Sequence, residues 1–307
     1  MGSGYLSAVT FPLSDTEEQY DAVRRDEVAL RPGVDALLSS LGHTGDVQRF
    51  AGGSLPVYAV GDDLVLKLYP PVYAEETGLE SGVLDAVHGR LPVATPRVEA
   101  VGEYDRWGYV LMERLPGAEL KDVWPTLDLA ARHDLAAQLG EVFAALHGLP
   151  VPDVEGLRFD DWDAFVKEQK AGAAEQQRSR KLGEEWIEQI PAFLDSVTLP
   201  AGAPVLLHTE SMPDHFLIGD DGRLSGLFDF EPALRGAWQY EFVAPAVFFT
   251  GEGVLARILS SYGKPLDART IMAYTLLHEY SHLPWYMEVL PESKATTLDD
   301  LAHDWWD

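Results

Sequence analysis

The sequence predicts an α+β chain in two lobes, a small β-rich N-terminal lobe over residues 1–115 and a larger, mainly helical C-terminal lobe over residues 116–307. Three observations carry this expectation. With 307 residues, 46% of them hydrophobic and 24% charged, the chain is long enough for two cores. Between Val47 and Leu115 short apolar runs alternate with Gly and Asp turns, whereas from Leu127 the apolar residues recur at helical spacing. The change of texture falls at Leu115-Pro116-Gly117, a chain-breaking tripeptide.

Taken in order, Ser14 followed by Glu17 reads as a capping box opening a helix through Tyr20 to Ala29, and a second short helix is expected over Gly33 to Leu41. The stretch VQRFAGGSLPVYAV then reads as two strands around a Gly52-Gly53-Ser54 turn, and Gly61-Asp62-Asp63 joins the second to GDDLVLKLY. Glu75 to Val87 has helical spacing, followed by the extended LPVATPRVEAVG and the strand GYVLMERL. In the larger lobe Leu127 to His147 puts Leu135, Leu139, Val142, Phe143 and Leu146 on one face, and Trp162 to Gln169 continues in helical style. Ala171 to Arg180 is polar and reads either as a solvated helix or as a mobile loop. VLL and FLI are strands around the polar loop HTESMPDH, SGLFDF is a further strand, and a helical tail contains Tyr240 to Phe249 and Ala268 to Met287. No internal repeat is present.

The bulk numbers exclude several classes. No stretch approaches the roughly 18 uncharged apolar residues of a membrane span, and the start lacks the basic flank and apolar core of a signal peptide, so the expected location is cytoplasmic, with no membrane partner. Cysteine is absent, which rules out disulfides and thiolate metal sites. A formal charge of −27 repels nucleic acid and attracts small cations, although diffuse acidity also serves solubility alone.

Chemistry enters through four features in sequence order. Lys67 sits inside the apolar run Val65-Leu66-Lys67-Leu68, and a buried ammonium needs a counter-charge, for which Glu80 on the next helix is the natural partner. The amides of Gly52, Gly53 and Ser54 can close over polyphosphate because no side chain keeps the main chain away. Asp229, between Phe228 and Phe230 at a strand end, offers the oxygen ligand that suits a divalent cation. Between them lies HTESMPDH.

This order resembles the aminoglycoside phosphotransferase family, antibiotic kinases with a two-lobed protein-kinase-like fold, over roughly residues 45 to 250. The resemblance implies that Lys67 matches the family's phosphate-binding lysine, Glu80 its helix glutamate, Met112-Glu113-Arg114 the hinge that meets the base, and Asp229 the magnesium aspartate. LGEVFAALHGLP is similar to the helix the family places after its hinge. It further implies a small-molecule kinase that moves the γ-phosphoryl group of ATP or GTP, with Mg2+, onto a hydroxyl of an antibiotic of aminoglycoside, hygromycin or nucleoside type, for resistance or self-protection. Its partners would be a nucleoside triphosphate and a small hydroxyl acceptor, with the protein a monomer or homodimer.

The polar loop departs from the family's His-Gly-Asp with an asparagine seven residues after the histidine. Those positions here are His208, Glu210 and His215. Phosphoryl transfer depends mostly on positioning and charge neutralisation, so Glu210 can orient the hydroxyl if the backbone sets back by a methylene. Its interval of 19 positions to Asp229 is close to the family's. His215 is a softer ligand for magnesium than an amide oxygen, and three options stand: metal through water, another divalent ion, or none. Asp214 is an alternative base if the loop register slips. A catalytically impaired nucleotide-binding pseudokinase is the alternative function.

Other features have blander readings beside the functional ones. His278-Glu279-Tyr280-Ser281-His282 matches the HExxH zinc-peptidase signature, which needs both imidazoles on one helical face and a third ligand, for which Glu288, Glu292 or Asp299 are candidates. Arg178, Arg180 and Lys181 are either a phosphate contact or a solvated face. Trp285, Tyr286, Trp305 and Trp306 form either an aromatic wall or part of the core. Asp160, Asp161 and Asp163 either meet substrate amines or cap a helix.

Overall fold

The computed structural model describes residues 10–159, 161–200 and 202–307, and the chain divides into two compact units. The first comprises Met1–His88, Pro96–Leu115 and Val154–Gly156; the second comprises Gly89–Thr95, Pro116–Asp153 and Leu157–Asp307.

The first unit is an antiparallel sheet preceded by two helices. Helix α1 (Glu17–Val23) starts two residues later than a capping box at Ser14 requires, because Thr16 takes the N-cap by accepting from the Gln19 amide. Ser14 is fully buried, with its hydroxyl donating to the Pro12 carbonyl. Helix α2 (Glu27–Ser40) begins six residues before the expected Gly33, capped by Asp26 and running through Pro32. A proline inside a helix removes one backbone hydrogen bond, and the buried face of Leu30, Val34, Leu37 and Leu38 compensates for that loss.

The strands are β1 (Val47–Arg49), β2 (Val57–Val60), β3 (Leu64–Tyr69), β4 (Val98–Tyr104) and β5 (Trp107–Glu113), ordered β1-β2-β3-β5-β4. Helix α3 (Ala74–Val87) lies between β3 and β4 in sequence. Strand β3 is central, with Lys67 opposite Val57 of β2 and Val110 of β5. Burial on both faces explains why its residues read as a continuous apolar run rather than an alternating one. Helix α3 packs closely over β5 because position 108 is glycine; an added Cβ would lie 2.0 Å from Thr77 Oγ1.

The second unit opens with β6 (Ala118–Glu119), α4 (Leu120–Val123) and the long α5 (Leu129–Gly148), capped by Asp128. The polar stretch after Gln169 is helical: α6 runs Trp162–Ser179, and α7 (Glu184–Ile187) and α8 (Ile190–Ser196) follow. Strands β7 (Val205–Leu207), β8 (Phe216–Ile218), β9 (Leu224–Leu227) and β10 (Leu234–Gly236) form two small sheets, β6-β8-β9 and β10-β7. The loop HTESMPDH thus hangs between strands of different sheets. Then come α9 (Val243–Phe248), α10 (Val254–Tyr262), α11 (Ala268–Leu277), α12 (Leu283–Val289) and α13 (Leu298–Trp306), and the apolar faces of α9, α11, α12 and α13 share a core that includes Phe165, Met272, Leu276 and Leu301. No helix among the described residues is long and apolar enough to cross a membrane.

The single helix expected over Ala268 to Met287 is broken. It stops at Leu277, His278 is extended, and a new helix starts at Leu283 with Pro284 in its first turn. A continuous helix would drive the Pro284 ring against the carbonyl of Tyr280. The freed backbone groups are met from α6: Gln176 donates to the carbonyl of Glu279 at 2.6 Å, Gln177 accepts from the Leu283 amide at 2.9 Å and donates to the Ser281 hydroxyl at 2.7 Å. The polarity of α6 that suggested a mobile loop belongs partly to this buried anchoring.

Candidate active site

In the first unit, the apolar strand β3 carries Lys67 into a nearly sealed environment, 5% exposed. Its ammonium lies 2.9 Å from the carboxylate of Glu80, which is 1% exposed on α3. The Tyr69 hydroxyl donates to the same Glu80 oxygen, and Lys67 Nζ lies 5.7 Å from the Tyr69 ring centroid. The buried ammonium thus has the counter-charge that burial demands. Glu80 also has a second donor that fixes its rotamer.

The Gly52-Gly53-Ser54 turn joins β1 to β2 and is exposed. Gly53 has φ +95, a conformation glycine adopts without steric cost, and the turn is closed by the Phe50 amide on the Val57 carbonyl at 2.9 Å. The amides of Gly52, Gly53 and Ser54 make no hydrogen bond among the described residues. At the end of β5, Met112 is buried, the Glu113 amide donates to Arg97 and the Arg114 amide to Asp63, so backbone geometry at this segment is fixed from both sides.

In the second unit, the loop from His208 to His215 is tied at three points. His208 is fully buried, and its Nε2 donates to the Phe228 carbonyl at 2.9 Å, which joins the start of the loop to the residue before Asp229. Burial, with the positive field of His215, lowers its pKa to about 4, so the ring is neutral. Thr209 is held at φ +69, an unfavourable region for a β-branched residue, by its hydroxyl on the Pro232 carbonyl at 3.0 Å and its amide on Glu241 at 3.2 Å. His215 closes the loop: Nδ1 donates to the Glu210 carbonyl at 2.7 Å, and Nε2 lies 2.9 Å from Asp229 Oδ2. Burial opposes charge on His215, but the Asp229 carboxylate and the Glu210 backbone and side chain outweigh it and raise its pKa. Glu210, His215 and Asp229 therefore form one connected group, with Asp229 itself at φ +73.

The carboxylate that organises this loop, Glu241, is absent from the sequence-derived candidates. It is fully buried and accepts from the His208 amide at 2.7 Å, the Thr209 amide and the Ser211 hydroxyl at 2.5 Å, with His147 Nε2 at 3.5 Å. Burial works against its ionisation, but these donors and the nearby imidazoles prevail and lower its pKa. Its signal was visible: an acid inside the apolar run WQYEFVA needs buried partners. Asp214, the alternative base, is partly exposed and lies 3.5 Å from the Lys121 ammonium.

The remaining candidates fall to structural roles. His278 is buried, stacks on Tyr240 at 4.8 Å and lies at the helix break, while His282 caps α12 by accepting from the Trp285 amide at 3.1 Å. The two imidazoles do not share a helical face, and the HExxH signature has lost its geometric basis. Arg178 is spent on Glu175 and Glu184. The indoles of Trp305 and Trp306 donate to the carbonyls of Pro291 and Ala246, so these rings pack on the core. Asp161 caps α6 and Asp163 lies in its first turn; Asp160 lies outside the described residues.

The profile of the phosphotransferase enzyme family matches residues 46–274. The chain belongs to this family. The phosphotransferase shares its α+β kinase-like fold with solved antibiotic phosphotransferases. The GDP and kanamycin complex of APH(2")-IIia matches with TM-score 0.69 at 18% identity, covering 88% of this chain and 97% of that one. The apoenzyme of macrolide 2'-phosphotransferase MphH from Brachybacterium faecium matches with TM-score 0.62 at 21% identity, covering 83% and 91%. The streptomycin-ATP-APH(2")-IIa ternary complex matches with TM-score 0.60 at 17% identity, covering 83% and 90%. No curated protein sequence matches the chain.

Proposed function

We propose that this phosphotransferase is a cytoplasmic small-molecule kinase that moves the γ-phosphoryl group of ATP or GTP onto a hydroxyl of an antibiotic, for resistance or self-protection. The observation that carries the reading is the connected group Glu210–His215–Asp229, in which one imidazole bridges the candidate base loop and the candidate metal carboxylate. Nucleotide and antibiotic acceptors in the names of the structural neighbours support the substrate class.

Lys67, held by Glu80, would take phosphate oxygens, and the amides of Gly52, Gly53 and Ser54 would close over them. Met112, Glu113 and Arg114 would meet the base through their backbone, which leaves adenine and guanine equally suited. Asp229 offers a hard oxygen donor that fits Mg2+, whereas both nitrogens of His215 are directed at oxygen acceptors, so His215 would orient Asp229 rather than ligate through a free lone pair. The ion, when bound, would neutralise charge on the phosphates. Glu210 would orient the acceptor hydroxyl and take its proton, on a loop held by His208 and Glu241.

The test pairs binding with turnover. Triphosphates with magnesium should raise the melting temperature of the wild type and of Glu210→Gln alike. Phosphorylated antibiotic, read by mass spectrometry across aminoglycoside, hygromycin, nucleoside and macrolide acceptors, should fall by about 100-fold or more in Glu210→Gln and change little in Asp214→Asn. The reverse ranking would move the base to Asp214, and nucleotide binding without any product would identify a pseudokinase.

A further inference from the structure

In the first unit, the exposed turn that joins β1 to β2 is held from outside the sheet. Tyr20 of α1 donates its hydroxyl to the Ser54 carbonyl at 2.5 Å. The phenol is only 3% exposed, and its ring meets those of Tyr73 and Trp107 edge-on at 5.7 and 6.2 Å, so the donor stands on a packed base. Burial outweighs the nearby arginines and raises the phenol pKa, which keeps the hydroxyl protonated at any working pH. The flanking strands have their own ties to the preceding helices. Arg49 of β1 donates to the Arg24 carbonyl and lies 3.4 Å from Glu27 of α2, and Tyr58 of β2 donates to the same Glu27 oxygen at 2.9 Å. Among the described residues, no hydrogen bond other than that of Tyr20 reaches Gly52, Gly53 or Ser54.

That single contact matters because of what it restrains. Two successive glycines give the turn wide backbone freedom, which Gly53 uses at φ +95. Amides on a freely moving turn lose that freedom when a ligand orders them, and the loss weakens binding; amides ordered beforehand avoid it. Holding the Ser54 carbonyl fixes ψ of Ser54, while the β1–β2 ladder, in which Arg49 faces Tyr58, fixes the chain on both sides of the turn. We propose that Tyr20 is a positioning residue for the glycine turn: its hydroxyl holds the Ser54 carbonyl so that the amides of Gly52, Gly53 and Ser54 are preset for the phosphates of the donor nucleotide. This inference rests on the reading of the turn as the phosphate-binding one and adds to it a residue of α1 that no phosphate touches.

Nitrogen-15 relaxation on the nucleotide-free full chain tests the restraint, and calorimetry with ATP and GTP in magnesium, against adenosine and guanosine, tests its effect. The Gly52 and Gly53 amides should give order parameters of about 0.8 in the wild type and below about 0.6 in Tyr20→Phe, which keeps the ring and removes the donor. Tyr20→Phe should weaken the better-bound triphosphate roughly 5-fold, the worth of one hydrogen bond, and leave its nucleoside unchanged. Tyr58→Phe removes another phenol hydrogen bond in the same layer and leaves the Ser54 contact intact, so it should lower the melting temperature to a similar extent without moving triphosphate affinity. An equal loss of affinity in both variants would make the effect one of general stability and overturn the proposal. Triphosphate affinity unchanged in folded Tyr20→Phe overturns it too, and so do wild-type order parameters already below about 0.6, a measurement that needs no variant to fold. In these three cases the kinase reading stands, because the wild type still binds triphosphate; a wild type that binds none takes down the reading and this inference together.

Discussion

Glu241 shows how one buried side chain can set the geometry of residues it never shares a strand with. Its carboxylate satisfies two amides and a hydroxyl of the loop, each of which would otherwise be a buried donor without an acceptor. Glu241→Ala should therefore destabilise the protein by about 3 kcal/mol or more in urea unfolding, and a loss within about 0.5 kcal/mol would show that the loop holds itself. Since its pKa is lowered on folding, its contribution is present above the unfolded carboxylate range and is lost as pH falls through the native value. His208 and His278 add a second acid dependence of the same sign. Burial pushes both from 6.5 to about 4, so the unfolded chain binds protons between those values and the native chain does not. Their contribution is complete above about pH 6.5 and is lost progressively toward pH 4. Between pH 6.5 and 5 each should cost about 2 kcal/mol of stability, and a folded His278→Gln should show a shallower fall across that window.

At the scale of elements, close packing is decided where side chains are missing. Helices α5 and α10 approach at Gly140, where an added Cβ would lie 2.3 Å from the Ile258 carbonyl oxygen and 2.8 Å from the Tyr262 amide nitrogen. Both are backbone atoms and cannot swing away. Gly140→Ala should thus destabilise by about 1–3 kcal/mol despite the better helix propensity of alanine, which is worth about 1 kcal/mol in the other direction. A neutral or raised melting temperature would show that α10 can shift. Element boundaries were legible where turns carry their own chemistry, as at Gly61-Asp62-Asp63. They were missed where a distant element supplies the missing partner: the break after Leu277 is sustained by Gln176 and Gln177 of α6, a hundred positions away, and only Pro284 marked it locally.

For the whole molecule the dominant quantity is a net charge of −27. Carboxylates spread along the chain repel one another more in the compact state than in the expanded one, and salt screens that repulsion. Raising sodium chloride from low concentration to about 0.5 M, where the screening length is a few ångströms, should increase the melting temperature by a few degrees. A decrease would mean that specific ion pairs outweigh the diffuse repulsion. Lys67 and Glu80 should be little affected, because they are only 5% and 1% exposed.

The sequence alone determined the α+β class, the strands around the glycine turns and the pairing of Lys67 with Glu80, because an ammonium in an apolar strand has few physical solutions and the next helix offered one. The resemblance to the family's motif also singled out Glu210, His215 and Asp229 as candidates. Only the tertiary structure decided that His215 bridges the other two, that Glu241 anchors their loop, and that the HExxH histidines part company at a helix break. Each of these depends on which donors meet which acceptors across long separations, and hydrogen-bond partners are a property of the folded arrangement rather than of any local pattern.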